Sequence, residues 1–240
     1  MRSLSTRARV AGVLYIASAV GVVRLVYVPA RLFVTGNAAA TANNIAAHET
    51  LFRWGMVSEV LGGAIWLFVP LALYQLFKNV DRPLAILTVI LGSVMQAPTY
   101  FFNSATDGAA LLFVRGPDYL SAFTKPQRDA LAMVFLRVHH QLDLANMFFA
   151  GAWLIPFGLL VYRSRFIPRV LGVWLMLASI PYFALCFGGI LRPGVEDFVF
   201  AYGQPLMFAE VATMLWLAIA GARSRTPVAL PRAVSELPQV

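Results

Sequence analysis

Six long apolar stretches divide the chain, at 10–28, 52–77, 84–102, 142–162, 170–190 and 204–222. Each supplies the roughly 20 mostly apolar residues that a helix needs to cross a bilayer. The pattern predicts an all-α integral membrane bundle of six transmembrane helices, forming one domain over residues 1–222. The remaining stretch, 223–240, carries Pro227, Pro231 and Pro238 and predicts a disordered cytoplasmic tail.

Two connections are long and polar. In 29–51, Gly36-Asn37 signals a turn, and the alanine-rich stretch after it predicts a short helix with Thr41 as its N-cap. The second outer segment is 103–141. From Lys125-Pro126 onward it turns helical, with Leu131, Val134, Phe135 and Val138 on one face, and continues into the fourth span. Pro70, Pro98, Pro156 and Pro181 fall inside spans, where each removes a backbone donor and can kink its helix. Ala17 and Gly21 form a small-xxx-small pair suited to a close helix contact.

A signal peptide is the alternative reading of the first stretch. Arg2, Arg7 and Arg9 form a basic start, and Ala17-Ser18-Ala19 resembles a cleavage site. The apolar run continues to Val28, which favours a retained helix.

Composition agrees with the pattern. Hydrophobic residues make up 60% of the chain, charged residues 12%, and mean hydropathy is +0.73. A soluble domain carries about 25% charged residues, so this chain cannot coat a soluble surface. The net charge of +8 reflects topology. With the N-terminus inside, Arg2, Arg7, Arg9, Lys78, Arg82, Arg163, Arg165, Arg169, Arg223, Arg225 and Arg232 all fall on the inner side. Only Asp81 and Glu236 accompany them there. Both termini are therefore expected to be cytoplasmic. No basic and aromatic stripe suits nucleic acid. The lone Cys186 lies in an apolar run and reads as a small buried hydrophobe.

The chemistry lies in polar residues within the membrane, each expensive enough to need a reason. Arg24, Glu59, Asp143 and Glu210 are ionisable and intramembrane, with His139 and His140 close by. Asn103, Asp107 and Asn146 add polarity. Counted from the cytoplasmic ends at about 1.5 Å per residue, Arg24 and Glu210 sit about 20–22 Å up and the others near the outer boundary. This predicts one polar pocket that opens outward and is closed below. His139, Asp143 and Asn146 share a helical face. A structural salt bridge from Arg24 to Glu59 or Glu210 is the competing explanation. A metal site would need His139 and Asp143 joined by Glu59, Glu210 or His48. No HExxH or paired CxxC supports it, so no metal and no cofactor is assigned.

The chain also resembles a known family. Its opening Arg9-Val10-Ala11-Gly12-Val13-Leu14-Tyr15, the outer stretch Thr41-Ala42-Asn43-Asn44-Ile45 with Leu51-Phe52-Arg53, and Leu73-Tyr74-Gln75-Leu76-Phe77-Lys78 carry the likeness. So do Gly158 to Ser164, Phe166 to Val173, and Glu210 with Leu215-Trp216-Leu217 and Gly221. These are similar to the bacterial multi-pass membrane family known as domain of unknown function 4386, over about residues 7–222. The resemblance implies several spans and no activity. It adds Asn44 and Arg53 to the candidate pocket and supports Glu210.

The resulting expectation is a bilayer protein of the bacterial cell membrane. It binds or transports a small or lipid-like molecule through an outward polar pocket and has no nucleic-acid partner. The alternatives are an accessory subunit without a site, or a metal-dependent intramembrane enzyme using His139, His140 and Asp143. Oligomeric state is not legible in the sequence.

Overall fold

The computed structural model describes residues 4–192 and 194–222. Among them, six helices are long and apolar enough to cross a membrane: Leu4–Leu32, Glu49–Phe77, Arg82–Arg115, Lys125–Ser164, Arg169–Leu191 and Val195–Ile219. They are called here the first to sixth spans. The expected tail over 223–240 lies outside the described residues.

The third span departs most from expectation. Its apolar stretch ends at residue 102, yet the helix runs on to Arg115, where Gly116 takes the left-handed conformation (φ 58°) that ends helices. Residues 103–115 are thus helix and not an outer connection. Apolarity marks where a helix faces lipid. It does not mark where a helix with inward polar partners must stop. The fourth span is continuous from Lys125 to Ser164, as expected. Thr124 and Gln127 form a reciprocal capping box at its start. The short helix Ala38–Ala47 is present, but its cap is Asn37, which accepts from the Ala40 N–H at 2.9 Å. Thr41 instead accepts from the Val34 N–H at 2.9 Å and ties the loop to the helix.

Several spans are irregular near prolines. The first contains a 3₁₀ turn, Ala19–Gly21, and a π turn, Val23–Tyr27, just before Pro29. The third contains a π turn, Ile90–Val94, before Pro98. The second is interrupted at Leu67, three residues before Pro70. A proline leaves the carbonyl four residues earlier without its donor, and a locally rewound turn absorbs the defect. Pro156, Pro181 and Pro205 lie within helices that continue through them.

Each span packs against its neighbours in sequence, and the first packs against the sixth, closing a ring. Glycine permits the closest approaches. A Cβ on Gly12 would lie 2.4 Å from the Ala218 nitrogen of the sixth span, and one on Gly158 2.6 Å from the Gly172 oxygen of the fifth. Gly21 meets Gly62 of the second span, whereas Ala17 is exposed. Gly12→Ala is therefore expected to force backbone apart and destabilise the bundle by about 1–3 kcal/mol. Thermal unfolding in mild detergent checks this, and an unchanged midpoint would show that the two helices are free to separate.

The ring is filled by an aromatic column. Tyr15, Trp66 and Trp153 meet edge to face with centroids 5.3–5.9 Å apart, and Phe157 stacks on Trp153 at 5.2 Å. A second apolar cluster of Val28, Leu32, Ile45, Phe52, Ala110, Leu111, Ala132 and Leu136 anchors the short helix. Ser5 and Gly221 lie side by side, so the two described chain ends share one face. Arg7 donates to the Gln75 carbonyl and Arg163 pairs with Asp81 at that same end.

Candidate functional site

The ionisable groups gather in the half of the bundle away from the chain ends. Arg24 grips Asp107 with both arms, Nε to Oδ2 at 2.5 Å and Nη2 to Oδ1 at 2.6 Å. Both residues are buried, at 3% and 0% exposure. The guanidinium also lies over the rings of Phe33 and Phe52. Asp107 and Asn103 are four residues apart on the third span, and His139 and Asp143 are four apart on the fourth. Two helical faces thus meet along parallel stripes.

Contacts run on from that pair. His139 Nδ1 lies 3.0 Å from Asp107 Oδ1. Its Nε2 lies 3.5 Å from both Glu59 Oε1 and Asp143 Oδ2. Asn103 donates to Asp143 at 2.7 Å. The expected pairing of Arg24 with Glu59 or Glu210 is not the one formed. The planar fork of arginine matches a carboxylate that can accept two parallel bonds, and Asp107 is the carboxylate within its reach.

Glu210 has a different environment. Its carboxylate accepts hydrogen bonds from Tyr15 of the first span and Tyr182 of the fifth. Tyrosine buries an apolar ring while presenting a donor at its tip, so two of them satisfy a carboxylate without adding charge. Tyr182→Phe leaves one carboxylate oxygen without its donor and is expected to cost about 1–3 kcal/mol. A urea or thermal melt of the detergent-solubilised variant reads this, and a loss below about 0.5 kcal/mol would show that the bond contributes nothing net.

Between these two clusters lies a cavity of about 590 Å³. Six of the sequence candidates line it: Glu59, Asn103, His140, Asp143, Asn146 and Glu210. Arg24 and His139 are buried just behind Glu59 and Asp143. His140 faces a different side from its neighbour, with Nε2 3.0 Å from Glu196 Oε2 at the start of the sixth span. Successive helical residues point about 100° apart, so a double histidine does not act as one pair. Asn44 and Arg53 lie elsewhere. Asn44 donates to the Leu32 carbonyl at 3.1 Å, and exposed Arg53 pairs with Glu49 at 2.7 Å.

Sequence reasoning left out several residues of this region. In the sequence Asp107 reads only as added polarity, because it falls in an expected outer connection. Its i, i+4 spacing from Asn103 was the available signal. Tyr15, Tyr182 and Glu196 carried no such signal, since nothing in their local sequence marks which carboxylate or histidine they meet.

The polar end of the cavity is incompletely bonded. Glu59 Oε2, Asn103 Oδ1 and Asn146 Oδ1 are buried acceptors without a hydrogen-bond partner among the described residues. The remaining wall is largely apolar, including Leu144, Met147, Leu185, Met207 and Met214. Glu59, Asp107 and His139 each offer one metal-ligating atom, all within 4.8 Å of one another. Arg24 bonds both oxygens of Asp107 and its Nη2 lies 3.3 Å from His139 Nδ1, so the guanidinium competes with a cation for two of these three groups.

No curated protein and no solved structure matches the chain. A family model, described as Domain of unknown function (DUF4386), matches residues 10–221. That span includes all six membrane helices nearly whole and every residue of the cavity, and the chain belongs to this family of multi-pass membrane proteins.

Proposed function

We propose that the protein binds, and carries or presents, a small amphiphilic molecule in this cavity. The observation that supports it is the cavity's two-sided character: apolar walls of drug-sized volume leading to a polar end with three unbonded acceptors. Ligand sites have this composition, a few placed polar groups in a mostly apolar cleft. Buried acceptors cost free energy unless a partner is supplied. The basic residues near the described chain ends favour a cytoplasmic setting for that face, and this supports a cavity in the outer half of a bacterial cell membrane.

Native mass spectrometry of the protein released from mild detergent tests this reading. A reproducible organic adduct is expected, and it should vanish in Ala150→Phe, which fills the cavity from its wall. A bare protein mass from every lipid and detergent tried overturns the proposal. A metal-sized adduct lost in His139→Ala replaces it with the metalloenzyme reading.

A further inference from the structure

The cavity is not sealed from the side. The first span packs against the sixth through its N-terminal half, where Gly12 meets Ala218. Its rewound second half, from Ala19 to Tyr27, packs against the second span instead. Val22, Leu25 and Val26 from that half line the cavity, and so does Phe200 from the sixth span. All four are also exposed, at 44–57% of their full surface. At this depth an exposed apolar side chain faces lipid. The cavity therefore opens sideways, through a cleft between the first and sixth spans, with the Tyr15–Glu210 bond near its base.

The charge of the lining is one-sided. Among the described residues, Glu59, Asp143, Glu196 and Glu210 line the cavity, His140 is the one basic residue there, and no lysine or arginine contributes. Arg24, the nearest permanent cation, is bound on both arms to Asp107. An acidic lining alone would not specify a ligand. The second observation is that Glu59 and Asn103, both in the lining, are more than nine-tenths buried, and each keeps one acceptor oxygen without a hydrogen-bond partner among the described residues. Together with Asn146 they offer three acceptors, and a primary ammonium offers three donors on one positive centre.

We infer that the ligand is an amphiphile with a primary-ammonium head. Its head docks against Glu59, Asn103 and Asn146, and its apolar tail leaves through the cleft into the surrounding lipid. This rests on the amphiphile-binding reading above and adds the sign, the donor count and the route. An ethanolamine-headed membrane lipid and a free long-chain amine share this chemistry.

The test titrates the full chain in non-ionic detergent with dodecylamine, dodecyltrimethylammonium or dodecanoate, read by native mass spectrometry. Dodecylamine is expected to bind at least about tenfold more tightly than either of the others, because each of those lacks the donors or the charge. Glu59→Gln should reduce that preference by about tenfold. Asn146→Leu, which removes a different acceptor, should reduce it too, so the inference does not depend on one variant folding. The exposed-site variant Asp118→Asn should keep the preference. Release from nanodiscs of phosphatidylethanolamine and of phosphatidylcholine identifies the source. Selective retention of the ethanolamine lipid points to the bilayer itself. Retention of dodecylamine alone points to a free amine. Equal binding of all three probes overturns this inference while leaving amphiphile binding in place, and binding of none overturns both.

Discussion

Arg24→Met is expected to destabilise the protein by about 3–5 kcal/mol, because it strands Asp107 as a buried carboxylate without its counter-charge. Asp107 is wholly inaccessible to solvent and receives two of its bonds from that one guanidinium. His139 remains beside it, but one imidazole cannot replace a bidentate fork. The double variant Arg24→Met, Asp107→Leu is expected to recover most of the loss, since well-packed apolar residues often replace a buried ion pair at little cost. Chemical or thermal unfolding of the wild type, both single variants and the double variant measures the coupling. Additive losses in the double variant would show that the two side chains act independently and that the pair does not organise the site.

Trp153→Ala is expected to cost a similar amount, about 3–5 kcal/mol, for a different reason. Trp153 is 1% exposed and is the ring on which the aromatic column converges, touching Tyr15, Trp66 and Phe157. Its removal leaves a void that helices pinned at Gly12 and Gly158 cannot close. The void also adjoins the cavity, so ligand adducts should become heavier or less selective as well as the fold weaker. Trp54, 64% exposed, is the control, and its alanine variant should stay within about 0.5 kcal/mol of wild type. A small loss at Trp153 would mean that the neighbouring rings collapse inward. A narrowed cavity should then be visible as loss of adduct.

How much of this was legible in the chain differs by residue. The six spans follow from hydrophobic runs, because a backbone in lipid must satisfy its own hydrogen bonds and helices do so locally. Arg24, Glu59 and Glu210 stood out because charge is costly among apolar neighbours. The His139–Asp143 stripe was readable from helical spacing alone. The choice of Asp107 as partner was not, since it depends on how the first and third spans lie against each other. The paired tyrosines on Glu210 come from spans one and five, 167 residues apart in sequence, and no local pattern joins them. Asn44 and Arg53 entered through resemblance to a family. Asn44 instead ties the short helix back to Leu32 at the end of the first span, and Arg53 pairs with Glu49 one turn earlier on its own helix.

The wide turn at Val23–Tyr27 makes residue count, and not only residue type, part of what the first span encodes. A π turn holds one residue more than an α-helix would use for the same path, and each residue advances the helix by about 100°. The helix is anchored by Gly21 against Gly62 before it, by Arg24 on Asp107 in its first residues, and by buried Val28 and Leu32 after it. Deleting a single residue at 25–27 would regularise the helix and rotate one anchored half against the other. Exchanges among valine, leucine and isoleucine at the exposed positions 25 and 26 should be absorbed, whereas a one-residue deletion should not. Apart from Arg24, then, this segment is expected to tolerate changes of apolar side chain better than a change of length.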